Sequence, residues 1–236
     1  MLSFIVPAYN EEFELPATLA AIHNAAQDRQ YEIVVVDDAS TDRTVEIAKD
    51  AGAIVVPINR RQIAAARNAG AHAARGEIFF FVDADTRIRK EHVDLALNAL
   101  TNGHSGGGAL IETDRDIPLW GHIFLKIFSA VYFSNKLAAG SFLFTTRENF
   151  ERVGRFDERY FAGEEVWLSL ALKKLGPFTI LREPVVTSGR KMRMHSGWRL
   201  LSHAVRILLG GLSGYGTRDR HELWYDGKRE TTARST

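Results

Sequence analysis

The chain has 236 residues, enough for one large α/β domain or two small ones, and its 45% hydrophobic and 25% charged residues are typical of a globular protein. Lysines and arginines number 30 and aspartates and glutamates 29, so the formal net charge of +1 gives no reason to expect nucleic acid as a partner. Cysteine is absent, which excludes disulfide bonds, cysteine-ligated zinc and thiol nucleophiles.

Neither the amino terminus nor the interior of the chain predicts a membrane anchor. The first residues lack the basic segment of a secretory signal, and their short apolar run ends at Pro7. The longest apolar segment, residues 117–133, contains His122 and Lys126 and is shorter than the ~20 residues that a spanning helix needs. We therefore expect a cytoplasmic protein without a transmembrane helix.

Short apolar segments alternate with alanine-rich segments through the first hundred residues. The apolar segments are nearly continuous and rich in β-branched or aromatic residues, which is typical of strands buried on both faces of a parallel sheet. The alanine-rich segments favour helix. We predict strands at residues 2–6, 31–36, 53–56 and 77–82, and helices at residues 15–26, 41–50 and 61–75. This order indicates a doubly wound α/β sheet that binds ligands beyond the carboxyl ends of its strands.

The alternation is less regular after residue 100, although no linker or internal repeat separates the halves. The glycine-rich segment 102–108 predicts a flexible break. Beyond it we predict strands at residues 109–113 and 141–146, and helices at residues 119–133, 164–175 and 198–209. The prediction is one domain over residues 1–236, with a nucleotide-type half (1–100), a more variable half (101–212) and a polar tail (213–236).

Polar clusters directly follow the first two predicted strands. Residues 7–12 are explained by a turn and an acidic first helical turn, which the helix dipole favours. In the second cluster, Ser40 or Thr41 can cap the next helix. Capping does not explain the adjacent carboxylates Asp37 and Asp38, which can accept hydrogen bonds from a ribose or a base.

A third cluster, Asp83-Ala84-Asp85, follows the phenylalanine-rich strand. In extended backbone, residues two apart point to the same side, so both carboxylates can face one point. Two negative charges at such a short distance repel each other unless a cation or a hydrogen-bond donor lies between them. Hard oxygen ligands indicate Mg²⁺ or Mn²⁺ bound together with substrate phosphates. Surface turns also contain this tripeptide, but its position after a buried strand favours the metal site.

Two further clusters lie in the second half. Gly163-Glu164-Glu165 opens a predicted helix, where acidic residues are favoured, and the apolar residues that follow would hold that first turn as rigidly as a general base requires. Residues 188–193, next to His195, form either a solvated basic loop or an arginine clamp for a diphosphate. Without a GxGxxG after a strand or a Walker A sequence, a dehydrogenase and a P-loop enzyme are disfavoured.

Taken in order, these segments resemble the successive motifs of family-2 glycosyltransferases with the GT-A fold. The matching segments are SFIVPAYNEE (3–12), VVVDDASTD (34–42), ARNAG (66–70), FVDAD (81–85) and GEEVWLSL (163–170). The resemblance covers residues 1 to about 190. It implies a Rossmann-like three-layer α/β sandwich with a mainly parallel, mixed central sheet. It also implies that residues 1–100 bind a nucleotide sugar and residues 101–212 an acceptor.

The resemblance further implies inverting transfer of a hexosyl group from a nucleotide-diphosphate sugar to a hydroxyl group of a glycan or a lipid-linked acceptor. Carried over position by position, the donor-binding residues are Pro7, Ala8, Tyr9, Glu11, Asp38, Arg67, Asp83, Ala84, Arg190 and Arg193. Among them, Asp38 would contact the base or ribose, Arg67 would lie over the nucleotide, and the last two arginines would neutralise the diphosphate.

The same resemblance suggests a metal site and a catalytic base. Asp83 and Asp85 would hold Mn²⁺ or Mg²⁺, with Asp85 the stronger candidate for a direct ligand. The family's late motif is usually Glu-Asp, and its aspartate acts as the base. The matching position here is Glu165, whose side chain is one methylene longer, so the choice between Glu165 and Glu164 stays open.

Two other functions remain as alternatives. A sugar-phosphate nucleotidyltransferase usually has a glycine-rich, basic loop after the first strand, whereas residues 8–11 contain an acidic residue and no glycine. A non-catalytic nucleotide-sugar-binding protein would not require the acidic pairs at residues 83–85 and 164–165.

The sequence offers two candidate surfaces for a lipid. For the predicted helix 119–133, a buried or oligomer-contact role is favoured slightly over a groove for a lipid-linked acceptor. The predicted helix 198–209 is amphipathic and basic, so we expect core packing with occasional peripheral contact with a membrane.

Overall fold

The structure is a computed structural model that describes residues 1–114, 117–161 and 163–194. The strands are β1 (Leu2–Ala8), β2 (Tyr31–Asp38), β3 (Ile54–Ile58), β4 (Ile78–Val82), β5 (Thr86–Arg87), β6 (Gly106–Thr113), β7 (Phe142–Thr146) and β8 (Phe178–Thr187). The helices are α1 (Leu15–Ala26), α2 (Thr44–Asp50), α3 (Ile63–Ala73), α4 (Lys90–Thr101), α5 (Leu119–Ser134), α6 (Arg147–Arg152), α7 (Glu164–Leu172) and α8 (Arg190–Met194). The predicted helix 198–209, His195 and the tail 213–236 lie outside the described residues.

All eight strands belong to one sheet, in the order β3-β2-β1-β4-β7-β6-β8-β5. The pairs β1–β2, β1–β4, β2–β3 and β6–β8 are parallel. Strand β7 is antiparallel to β4 and β6, and the short strand β5 is antiparallel to β8 at the edge. The prediction of a mainly parallel, mixed sheet is therefore confirmed.

Helices cover both faces of the sheet because its central strands are apolar on both faces. Phe80 belongs to one buried cluster together with Leu19 of α1. Its neighbour Phe81 points the other way, into a cluster with Ala66 of α3 and Leu168 of α7. The sandwich therefore has three layers, as the sequence predicts. No helix among the described residues is both long and apolar enough to span a bilayer.

The flexible break predicted at residues 102–108 is wrong for its second part. Gly106 begins β6, a strand paired on both sides, with β7 and with β8. A Cβ atom on Gly107 would lie 2.6 Å from the carbonyl oxygen of Thr179 and 2.4 Å from the ring of Phe144. These glycines therefore allow close packing of neighbouring strands and side chains, which a sequence pattern alone does not distinguish from flexibility.

Several element boundaries also differ from the prediction. Helix α2 begins at Thr44 and not at residue 41, and the N–H of Thr44 donates to Asp42 Oδ1 at 3.0 Å. Helix α7 ends at Leu172, three residues early. The basic segment is not a loop, since residues 190–194 form α8. The sequence pattern missed α4, although Val93 and Ala96 on its inner face are fully buried.

Candidate active site

The clusters predicted in the first half of the chain meet at the carboxyl edge of the parallel strands. Residues 9–14 follow β1, residues 39–43 follow β2, and residues 83–85 follow β4. Because β1 is hydrogen-bonded to both β2 and β4, these three loops adjoin one another. Ion pairs from α8 reach the loops after β1 and β4 directly, and one from α7 reaches the loop after β4 through Arg67 of α3, which also bonds Asp83.

Short polar side chains join the loops after β1 and β2. Asn10 has a left-handed φ of 52°, which asparagine adopts more readily than most residues. Its N–H donates to Ser40 Oγ (2.9 Å), and its Oδ1 accepts from the N–H of Thr41 (2.8 Å). The N–H of Glu11 donates to Thr44 Oγ1 (2.8 Å). Ser40 and Thr41 therefore fix the loop after β1 and do not cap α2, contrary to the prediction.

Asp38 is bonded to the backbone that leads into α3. Its Oδ1 accepts from the N–H groups of Arg60 (2.7 Å) and Arg61 (2.8 Å), and its Oδ2 accepts from that of Gln62 (2.9 Å). The guanidinium of Arg61 lies over the ring of Tyr9, 3.2 Å from its centroid. Asp38 and Tyr9 thus both contact the segment that precedes α3, through Arg61. A contact between Asp38 and a nucleotide stays a prediction.

The small residues assigned to donor binding lie at the ends of strands. Pro7 and Ala8 end β1, and Pro7 is paired with Val36 of β2. Ala84 is buried, and its carbonyl oxygen accepts a hydrogen bond from Thr18 Oγ1 of α1 (2.8 Å). That bond holds the centre of the 83–85 turn against α1.

Arg67 lies between carboxylates of different elements, and its side chain is 1% exposed. Its Nη1 donates to Glu164 Oε1 (2.6 Å), and its Nη2 donates to Asp83 Oδ1 (2.9 Å) and to the carbonyl oxygen of Gly140 (2.9 Å). Burial by itself lowers the pKa of Arg67, but the neighbouring carboxylates outweigh burial and raise it. These contacts make Arg67 a buried link between α3, the turn after β4 and α7, and its position over a nucleotide stays a prediction.

The two aspartates after β4 contact different arginines. The N–H of Thr86 donates to the carbonyl oxygen of Asp83 (3.0 Å), so this segment is a turn and not the extended backbone assumed from the sequence. Asp83 pairs with Arg67, whereas Asp85 Oδ2 lies 3.2 Å from Nη2 of Arg190. Each carboxylate therefore has its own cationic partner, which offsets their mutual repulsion.

Arg190 joins α8 to the loop after β1. Its Nη1 and Nη2 donate to the two carboxylate oxygens of Glu11, both at 2.6 Å, in addition to its contact with Asp85. Burial lowers the pKa of Arg190, but Asp85 and Glu11 outweigh burial and raise it. A second pair, Arg87 Nη2 with Glu14 Oε2 at 3.1 Å, reinforces the same loop.

The second arginine of the predicted clamp has a different partner. Arg193 Nη1 lies 3.3 Å from Asp114 Oδ1, which also accepts from the N–H of Gly189 (3.0 Å). This pair fastens the start of α8 to the residue after β6. The structure therefore brings Arg190 into contact with the acidic residues after β1 and β4, and it pairs Arg193 with Asp114.

The two glutamates at the start of α7 have different surroundings. Gly163, before the helix, has a left-handed φ of 72°, which glycine adopts without strain. Glu164 is buried against Arg67, whereas Glu165 Oε1 accepts a hydrogen bond from the hydroxyl of Tyr132 (3.2 Å). Burial, followed by repulsion from Glu164, raises the pKa of Glu165 to about 8. Glu165 is therefore the stronger candidate for a proton-transferring group.

The donors at residues 83–85 suit a hard divalent cation only in part. In the ranges that the structure describes, no three His, Cys, Asp or Glu side chains are grouped so as to hold a metal ion. Mg²⁺ commonly takes one or two carboxylates and completes its coordination with water and substrate phosphates. Asp83 and Asp85 fit that kind of incomplete protein site.

Tyr132 and Asp114 were missed as site residues in the sequence. Tyr132 belongs to a largely apolar helix, and the polar end of a phenol in such surroundings needs a hydrogen-bond partner. That signal could have singled it out. Asp114 follows the predicted strand 109–113, and Asp116 comes two residues later in the sequence, the same spacing as Asp83 and Asp85, so that spacing could have singled out Asp114.

The architecture and the Asp-Ala-Asp turn define a class of protein, the GT-A glycosyltransferase fold. S. aureus TarS (residues 1–349) superimposes with a TM-score of 0.63 at 18% identity, over 94% of this chain and 68% of that one. Glucosyl-3-phosphoglycerate synthase from Mycobacterium tuberculosis, in complex with Mn²⁺, UDP and glucosyl-3-phosphoglycerate, gives 0.62 at 18% identity, over 93% and 81%. At these identities the likeness establishes the fold.

The family follows from the sequence itself. Residues 3–154 match the model of Glycosyl transferase family 2, so the chain belongs to that family. Undecaprenyl-phosphate 4-deoxy-4-formamido-L-arabinose transferase from Aeromonas hydrophila is 30% identical over 125 residues, 49% of this chain and 38% of its own. Dolichol-phosphate mannosyltransferase from Pyrococcus furiosus is 35% identical over 107 residues, 43% of this chain and 30% of its own. The chain thus spans well under half the length of these relatives. Membership disfavours the nucleotidyltransferase alternative.

Proposed function

We propose that this protein transfers a sugar from a nucleotide-diphosphate sugar to an acceptor oxygen, with inversion at the anomeric carbon. The observation that carries the proposal is the link made by Arg67, which bonds both Asp83 and Glu164. That link sets the aspartate turn suited to a diphosphate and its cation beside the start of α7, where Glu165 can accept a proton. The residues proposed for the donor and for proton transfer thus lie on adjoining elements.

The donor would lie along the loops after β1, β2 and β4. Tyr9 with its stacked Arg61, and Asp38 behind them, supply an aromatic face and a carboxylate for a nucleoside. TarS has been solved with UDP-GlcNAc and the mycobacterial synthase with Mn²⁺ and UDP-glucose, which supports a uridine nucleotide as the first candidate.

A divalent cation would be held by Asp83 and Asp85 together with the diphosphate. The acidic oxygen donors of the turn, and the absence of cysteine from the chain, fit Mg²⁺ or Mn²⁺. When bound, such a cation neutralises the negative charge that develops on the leaving diphosphate.

The chain's own residues account for the remaining steps. Ionised Glu165 takes the proton of an acceptor hydroxyl, whose oxygen forms a bond to the anomeric carbon as the bond to the diphosphate breaks. Arg190 supplies a charged, forked donor for the departing diphosphate, with Arg193 further along α8. One displacement from the opposite face inverts the centre and needs no covalent sugar–enzyme intermediate.

A phosphate acceptor is the second candidate, and the raised pKa of Glu165 favours it. The second pKa of a phosphate monoester is about 6, so its oxygen is already a charged nucleophile at neutral pH and needs no base. With a pKa of about 8, Glu165 is mostly neutral there and repels such an anion little. The two relatives described above are named for lipid phosphates, which supports the same acceptor class.

Helix α5 supports a lipid-linked acceptor and peripheral contact with a membrane. Leu119, Ile123 and Ile127 are four residues apart and 78%, 54% and 61% exposed, so they form an apolar stripe on one face. The exposed Lys126 lies beside that stripe, and the helix contains no acidic residue. Apolar residues flanked by a basic one suit the interface of a bilayer with anionic lipids.

The experiment that tests the function is a thermal-shift panel of UDP-, GDP- and dTDP-sugars, with and without Mn²⁺. A donor at 100 times its Kd should raise the Tm by roughly 5–10 °C, since it binds only the folded state. Asp85→Asn should remove the Mn²⁺-dependent part of the shift. No response to any nucleotide sugar would contradict the proposal. Pyrophosphate release from a nucleoside triphosphate and a sugar phosphate would support the nucleotidyltransferase instead.

A further inference from the structure

Three residues spaced four apart, Glu165 and Ser169 of α7 and Lys173 at its C-terminal cap, each form a hydrogen bond to the end of α5 or to the segment that follows it. The pairs are Glu165 Oε1 with the hydroxyl of Tyr132 (3.2 Å), Ser169 Oγ with the N–H of Ala138 (3.1 Å), and Lys173 Nζ with the carbonyl oxygen of Asn135 (2.9 Å). A spacing of four residues puts these side chains on one face of a helix. The contact between Tyr132 and Glu165 is therefore one end of a continuous seam.

The phenol of Tyr132 is itself held in place. The ring of Phe133, which is buried, packs edge-on to that of Tyr132 with 5.9 Å between centroids. The carbonyl oxygen of Tyr132 accepts from the N–H of Leu137 (3.3 Å), and that of Phe133 accepts from Lys136 (2.9 Å), so the helix end is closed by backbone bonds. The hydroxyl thus projects from a rigid aromatic side chain on a fixed helix end, whereas a glutamate has three rotatable side-chain bonds.

We propose that Tyr132 is a positioning residue for Glu165, which keeps the carboxyl group in one orientation and favours its ionised form. This inference rests on the proposed function, in which Glu165 accepts the proton of an acceptor hydroxyl. It gives the proposed acceptor-binding half a residue that acts on the base.

Groups from three helices face Glu165 and act in opposite directions. Burial and the charge of Glu164 on α7 disfavour the ionised carboxylate, whereas Arg67 on α3 and the Tyr132 hydroxyl on α5 favour it. Arg67 already donates to Asp83 and to Glu164. The tyrosine contributes a hydrogen bond made directly to Glu165 Oε1, so removing its oxygen should raise the pKa of Glu165 further.

The test is a ¹³C NMR titration of the full chain labelled at the glutamate δ-carbons, with Glu165→Gln used to identify the Glu165 signal. Its midpoint should be near 8 in the wild type and about one pH unit higher in Tyr132→Phe, the effect expected for a hydrogen bond to a charged group. Tyr160→Phe is the matched control, because Tyr160 also packs against α7, through its ring on Trp167. It should leave the midpoint unchanged.

Kinetics with the donor found by thermal shift provide a second readout. Tyr132→Phe should lower kcat at pH 7 by roughly fivefold to tenfold, with little change in donor KM, and the deficit should shrink towards pH 9.5. An unchanged NMR midpoint in Tyr132→Phe would overturn the inference and leave the proposed function standing. If Glu165→Gln instead transferred sugar to a hydroxyl acceptor at the wild-type rate, Glu165 would not be the base, and the proposed mechanism itself would be contradicted.

Discussion

The two buried arginines of the site have the same kinds of partner but different supports. Arg67 binds Asp83 and Glu164, and Arg190 binds Asp85 and Glu11, so each holds one aspartate of the turn after β4 and one glutamate from elsewhere. Arg67 lies within the 11-residue helix α3, which packs closely on β1 and β2. Arg190 lies in the five-residue helix α8 and is 10% exposed at its side chain.

The ion pairs of Arg67 are structural, whereas those of Arg190 can be exchanged for contacts with a ligand. A guanidinium in the interior has no substitute for its carboxylate partners, so its loss leaves a buried charge unpaired. A less completely buried guanidinium on a short helix can turn towards a diphosphate, because the diphosphate carries a negative charge, as the carboxylate that it leaves does. We therefore expect Arg67 to matter first for folding and Arg190 first for donor binding.

The largest expected effect is that of Arg67→Met on stability. Removing the guanidinium leaves Glu164 and Asp83 without their cation, and breaking a buried pair typically costs about 3–5 kcal/mol in the free energy of unfolding. Urea denaturation would measure it. Adding Glu164→Gln should recover part of the loss, and Arg43→Gln, on the exposed Arg43–Glu46 pair, should change the midpoint little. Wild-type stability of Arg67→Met would remove the distinction between the two arginines.

Glu165→Gln should have the next largest effect, and its size should depend on the acceptor. With a hydroxyl acceptor, loss of the base should lower kcat by roughly 10²–10³-fold while nucleotide binding stays nearly intact. With undecaprenyl phosphate as the probe, the same variant should retain most of its activity, because a phosphate oxygen is already ionised. Product formation measured by mass spectrometry for both acceptors would show which class the protein uses. Comparable activity with a hydroxyl acceptor would remove Glu165 from the role of base.

The smallest of these effects is expected for Arg190→Gln. The variant should still fold, at a lower stability because buried Glu11 loses its guanidinium partner. It should bind the nucleotide sugar about tenfold more weakly, the loss expected for a hydrogen bond between charged groups. Isothermal titration calorimetry would measure the Kd. Arg193→Gln is the matched comparison on the same helix and should weaken binding less, since Arg193 pairs with Asp114. A larger effect at Arg193 than at Arg190 would reverse the assignment of the clamp.

The sequence predicted the first half of the molecule better than the second. Helix α1 has the predicted bounds, and β1, β2 and β4 lie where apolar runs placed them, because a strand buried on both faces needs an unbroken apolar segment. The flexible segment predicted for the glycines of β6 was wrong, since these glycines pack against Phe144 and Thr179, which are distant in the chain. The positions of Asp38, Asp83 and Asp85 followed from strand ends, but their partners did not.

Residue order and chemistry were sufficient for the class of fold, the family and the edge of the sheet where the acidic residues gather, since the loops that follow neighbouring parallel strands all lie at their carboxyl edge. Folding decided which charges meet. Glu164 and Glu165 are adjacent in the chain, yet one faces Arg67, 97 residues away, and the other faces Tyr132, 33 residues away. Neighbouring helical residues point in directions about 100° apart, so only the packing of α3 and α5 around α7 could give them different partners.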